Sequence, residues 1–269
     1  GFNLGTSFNG KIYTSVIQSD GKIIVAGAFT TCNGIPVGRL VRLNTDGSRD
    51  TTFDTSIAAS SGTIYGLALQ DDGKVLVVGS FTKFNGITVN RIARVLPNGD
   101  LDTSFGAGVG AASTIDDVAI APDGKIILSG SFSSFNGNAN YSKLVRLHTN
   151  GSIDTSFSIG AGFDDSIEAI AIQPDGKILV CGAFEFYNNI PVSKIIRLNT
   201  DGSLDSSFNN STIASYYIYN MALQSDGKIL IATQYNITSR RIERLNSDGT
   251  LDESFNLGIG TNLDIFTIA

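Results

Sequence analysis

Two acidic arrangements in this sequence are of types that can do chemistry. The first is "NTDGSLDSSF" at 199–208, which recurs as "NTDGSRDTTF" at 44–53, "LPNGDLDTSF" at 96–105, "HTNGSIDTSF" at 148–157 and "NSDGTLDESF" at 246–255. Asn199, Asp201 and Asp205 are the oxygen ligands a hard cation takes. The second is Asp116 and Glu168, which hold one column of neighbouring repeats, with Asp117, Asp164 and Asp165 close by. Two carboxylates beside aromatic rings are the equipment of glycoside hydrolysis.

The cation reading fails column by column. Its first slot holds Asn44, Leu96, His148, Asn199 and Asn246, and leucine cannot coordinate. Its third slot, the Asp205 column, already faces an arginine. No metal and no cofactor is expected. His148 is the single histidine and falls in a hairpin turn, so no Ser-His-Asp triad is expected. The runs "GAGVG" (106–110) and "GAG" (160–162) are each followed by a strand pattern, so no helix N-terminus is available for phosphate.

The elements that must carry these residues are repeats. "DGK" begins at Asp20, Asp72, Asp123, Asp175 and Asp226, in steps of 51 or 52 residues. The units run 2–52, 53–104, 105–156, 157–207 and 208–254, and 255–269 begins a sixth. Each unit reads as four short strands, as in "IEAIAIQ" (a), "KILVCGAF" (b), "KIIRLN" (c) and "SLDSSF" (d) of the fourth. Strand b is apolar almost throughout, the pattern of a strand covered on both faces. The predicted fold is an all-β propeller of five four-stranded units with the start of a sixth. "PDGK" and "NTDGS" are read as three-residue hairpin loops with glycine at positive φ. The tail repeats the start of strand a, with Ile265 in the place of Ile12, so these 269 residues are expected to be a segment of a longer chain whose ring has six or more blades.

That hairpin register sets arginine opposite aspartate. The predicted pairs are Arg42–Asp50, Arg94–Asp102, Arg146–Asp154, Arg197–Asp205 and Arg244–Asp252, with an Nη atom of Arg197 on Asp205. A group needed five times is read as structural, and directly opposed charges stabilise a strand pair by roughly 0.2–1 kcal/mol.

"LNTDGSLDSSF" and "IAIQPDGKILVCGAF" resemble the delta-60 repeat family of bacterial and phage proteins, over nearly the whole chain. The fifth unit, with "IATQYNITSRRIERLN", lacks the "GxF" of the others. The resemblance implies a propeller-like domain of large extracellular or surface proteins, often from Bacteroidota. It brings no reaction and no catalytic residue.

Strand a is expected to line the channel, its second position reading Tyr13, Tyr65, Asp116, Glu168, Tyr219 and Phe266. Turns a–b and c–d lie at one end. Loops b–c and d–a lie at the other, and variable loops on a rigid scaffold carry binding. Phe8, Tyr141, Phe163, Phe186, Tyr216 and Tyr217 stand outside the core columns and are expected to contact a ligand. The chain therefore reads as a non-catalytic binding or adhesion module of the bacterial cell surface or a phage virion, taking protein or glycan. The alternatives are a glycoside-acting enzyme using Asp116 and Glu168, and a structural spacer. With 19 basic against 25 acidic residues and no Lys/Arg cluster, nucleic acid is not an expected partner. No apolar run reaches the roughly 18 residues of a membrane span. Cys32 and Cys181 fall in different columns and are read as free thiols.

Overall fold

The computed structural model describes residues 5, 8–53, 58–209, 217–234 and 240–255. Its strands form five three-stranded antiparallel sheets in the order a-b-c, with three two-stranded hairpins in the b–c connections. Strand a runs Ile12–Ile17, Ile64–Leu69, Ile115–Ile120, Ile167–Ile172 and Tyr217–Leu223, and strand b Ile23–Gly27, Val75–Gly79, Ile126–Gly130, Ile178–Gly182 and Ile229–Gln234. Strand c runs Leu40–Leu43, Ile92–Val95, Leu144–Leu147, Ile195–Leu198 and Arg240–Leu245. The fourth strand is short, held at the sheet edge by one bridge per unit, such as Leu43–Arg49 and Leu198–Leu204. Successive a strands lie side by side, so they are innermost. The only helix among the described residues is one 3-10 turn, Ala139–Tyr141, and no described helix could cross a membrane.

Both hairpin turns form as the glycine spacing requires. In the c–d turn, Asn199 N–H donates to Ser203 O at 2.8 Å and Gly202 sits at φ 94°. Asp201 Oδ1 accepts from Ser203 N and Oγ at 2.9 and 2.7 Å. The acid of the decamer therefore closes its own turn.

The core lies between blades. One cluster joins Ile24, Ala26 and Leu40 of the first blade to Phe53, Ile64, Val77 and Phe81 of the second, and the next three junctions repeat the pattern. Phe29, Phe81, Phe132 and Phe184, two residues beyond strand b, are fully buried. Truncating one to alanine costs about 3–5 kcal/mol in such a setting.

The Arg–Asp column sits at these junctions. Nε, not Nη, meets the carboxylate, at 2.8 Å in four pairs and 2.7 Å for Arg197–Asp205. Nη1 reaches out of the blade to a c–d turn carbonyl of the next: Arg42 to Pro97, Arg94 to Thr149 and Arg197 to Ser247 at 2.6–2.7 Å, and Arg146 to Thr200. Each guanidinium also lies over a strand-d phenylalanine at 4.4–4.9 Å. The "DGK" lysine adds a second cation, as with Lys22 on Asp50 and Lys177 on Asp205 at 2.7 and 2.8 Å. Sequence register shows the pair, but not its reach across the junction.

Candidate functional site at the loop end of the channel

Every strand a carries a bulge near its start, at the second residue in the first four blades and the third in the fifth. Ile167 pairs with Gly182 and Ala169 with Cys181, so Glu168 is the extra residue. Tyr13, Tyr65, Asp116 and Tyr219 are skipped the same way. A bulge re-aims a side chain and recurs beside functional sites. In the first four blades a glycine ends strand b beside it, where the two strands approach closely. A Cβ on Gly27, Gly79, Gly130 or Gly182 would stand 2.0–2.5 Å from the carbonyl oxygen of Lys11, Thr63, Thr114 or Ser166. The "GxF" glycine is therefore a close-approach residue. The fifth blade has Thr233 there, and its three strands pair out to Gln234 and Arg240.

The bulges form a belt on the inner strands at the loop end. The Tyr13 and Tyr65 rings are 5.1 Å apart and those of Tyr217 and Tyr219 are 4.7 Å apart. Glu168 lies between, accepting from Ser166 Oγ at 2.9 Å and from the Tyr217 hydroxyl. Burial, and then the Glu168 carboxylate, push the Tyr217 phenol up. Burial, then the Glu168 charge, raise Asp116 to about 6. Asp117 is raised to about 6 by burial, although it accepts from Ile170 N on the neighbouring inner strand at 3.0 Å. Asp117 thus stitches two blades, while Asp116 lies near enough to Glu168 to feel its charge.

The loops around this belt differ from the sequence expectation. The b–c connection is not a free variable loop. Asn33-Gly34, Asn85-Gly86, Asn136-Gly137 and Asn188-Asn189 all have positive φ at both residues, the two-residue type I′ turn. The hairpins bridge back to the d–a segment at Phe8–Cys32, Ala59–Phe84, Ala111–Phe135 and Phe163–Tyr187. Phe163 is accordingly not a free ring. It is 3% exposed, with Phe184 and Tyr187 each 4.7 Å away. Phe8 packs on Phe29 at 4.5 Å, and Tyr141 packs half-buried on the core between the second and third blades. Phe186 stays 42% exposed. Tyr217 belongs to the belt, and Tyr216 and Phe266 lie outside the described residues. Asp164 pins the hairpin by accepting from Glu185 N and Phe186 N at 3.0 and 2.9 Å. His148 sits at the opposite end of the channel, in a c–d turn, its Nε2 3.9 Å from Asp154.

The two sets of carboxyls predict a stability maximum in mild acid. Burial works to raise Asp50, Asp154 and Asp205, but hydrogen bonds from Lys22, Ser156 and Lys177, with those from the paired arginines, outweigh it and hold them well below the usual 3.9 or so. Their contribution is complete above about pH 4 and is lost as pH falls through the folded values. Asp116 and Asp117 titrate at about 6, so the folded chain holds more protons than the unfolded one between about pH 4 and 6. Stability then falls as pH rises through that window. Thermal melts across pH 2 to 8 are expected to peak at about pH 4. A midpoint climbing steadily to pH 8 would contradict the assignment.

No sequence match to a curated protein is found. Solved structures share the fold at low identity. The extracellular domain of a putative one-component system from B. thetaiotaomicron aligns over 96% of this chain at TM-score 0.56 and 12% identity. A putative gluconolactonase aligns over 92% at 0.52 and 15%, and a puromycin hydrolase mutant over 93% at 0.56 and 14%. This chain spans 30%, 77% and 38% of those proteins, respectively. At such identities the likeness carries the architecture alone. Residues 18–53, 70–105, 121–157, 173–208 and 224–255, the turn-centred parts of all five units, match the β-propeller family described as a domain of unknown function, DUF5122, and the chain belongs to that family.

Proposed function

We propose that this chain is a non-catalytic binding module that takes a glycan at the loop end of its channel, at the bacterial cell surface or on a phage virion. The observation that supports it is the belt itself. Tyrosines flank a carboxylate pair, and Tyr13, Tyr65, Asp116, Glu168 and Tyr219 each stand at a strand bulge. Tyrosine offers an apolar face to a sugar ring and a hydroxyl to its edge. Carboxylates accept sugar hydroxyls in charge-assisted hydrogen bonds, the stronger class. The type I′ hairpins hold the surrounding loops to the scaffold, so little ordering cost falls on binding. A fold neighbour that is itself an extracellular domain agrees with the surface setting. On a glycan array, retained ligands are expected to lose roughly tenfold or more in affinity with Glu168→Gln or Tyr65→Ala, the cost of one charge-assisted or stacking contact. An array that retains nothing would count against this reading.

A second reading rests on Asp116, whose carboxyl is raised to about 6 beside Glu168. A raised carboxyl beside a second carboxylate is the pair a glycosidase uses. Turnover of chromogenic glycosides that vanishes in both Asp116→Asn and Glu168→Gln would put it first.

A further inference from the structure

Four blade junctions are built alike, and the outward face of the fifth blade is built to make another. Arg42, Arg94, Arg146 and Arg197 span their junctions through Nη1, and their side chains are 8–10% exposed. Leu179 and Ile195, on the same face as Arg197, are fully buried, as are Ile24 and Leu40 in the first blade. The fifth blade repeats the residues without the cover. Arg244 holds Asp252 at 2.8 Å, but its side chain is 21% exposed and its Nη atoms have no acceptor among the described residues. Leu230 and Ile242, in the columns of Leu179 and Ile195, are only half-buried.

We propose that this face seats a further blade of the same repeat, whose c–d turn carbonyl accepts from Arg244 and whose apolar strands cover Leu230 and Ile242. Continuity with the four junctions names the occupant. Each junction begins with a strand-d phenylalanine beneath the arginine, and Phe255 already lies beneath Arg244 at 4.4 Å. Ile265 follows Phe255 at the spacing by which Ile218 follows Phe208. A second copy of the chain is the competing occupant, since Thr45 of its first blade holds the column of Pro97, Thr149, Thr200 and Ser247.

The test compares the 269-residue chain with one extended after Ala269 by a copy of residues 172–208, which continues the column of Ala171. Arg197→Ala and Arg244→Ala are made in each. Arg197→Ala is expected to lower the thermal midpoint in both. Arg244→Ala is expected to match it only in the extended chain and to cost clearly less in the shorter one. Oxidative footprinting of Leu230 and Ile242 should fall several-fold on extension, with Ile87 unchanged. Equal cost of Arg244→Ala in both chains, or no protection in a cooperatively folding extension, overturns the proposal. So does a dimer of the shorter chain that Arg244→Ala dissociates. If the extension does not fold, a copy of residues 69–105 replaces it, and failure of both also overturns the proposal.

Discussion

Arg146→Ala lowers the free energy of unfolding by about 3–5 kcal/mol, the range for breaking a buried ion pair by removing one partner. The arginine is 7% exposed and Asp154 is 2% exposed. Removing the guanidinium takes away the Nε contact at 2.8 Å, the reach to the Thr200 carbonyl and the cover over Phe157. Lys125 remains, 3.3 Å from Asp154, but it cannot reach across the junction as Arg146 does. The loss should therefore exceed that of an exposed pair, for which about 0–1 kcal/mol is usual. Equilibrium denaturation checks it, and a loss under about 1 kcal/mol would make the column ornamental.

Gly182→Ala carries the second large effect, and it joins stability to the site. Its Cβ would stand 2.3 Å from the Ser166 carbonyl oxygen and 3.1 Å from Glu168 N. Those neighbours are backbone, so strand a must move. The expected cost is about 3 kcal/mol, the upper part of the range for overfilling a packed position. Moving strand a also undoes the bulge at Glu168 and costs the Ala183 N to Ser166 O bond of 3.1 Å. Glycan affinity should fall with stability in this variant, whereas Arg146→Ala should leave it unchanged while the chain is folded. A Gly182→Ala protein as stable as the parent would show that the close approach is not what shapes strand a.

What could be read in the sequence followed from periodicity. Columns at 51 or 52 residues showed the blades, and counting outward from each glycine turn set Arg197 opposite Asp205. The reach of Nη1 could not be read, because its acceptor is a backbone carbonyl of another blade. The bulge column was visible only as Tyr13, Tyr65, Asp116, Glu168 and Tyr219. One extra residue in a strand leaves no mark of its own, and its only trace was the glycine of "GxF" in four of the five units. Phe163 was misplaced because "AGF" has no strand period, and the contact that buries it comes from Tyr187 in a different connection. The loops looked variable because "CNGI", "FNGI", "FNGN" and "YNNI" differ in letters. Their shared Asn-Gly or Asn-Asn pair was the available hairpin signal.

The central claim is that ligands enter at the bulge belt. NMR of ring-labelled tyrosines during titration with an array-selected glycan tests it most directly. The account predicts that Tyr13, Tyr65, Tyr217 and Tyr219 shift, while Tyr141 and the buried Tyr187 stay in place. Shifts confined to Tyr141, or none in the belt at saturating glycan, would contradict it.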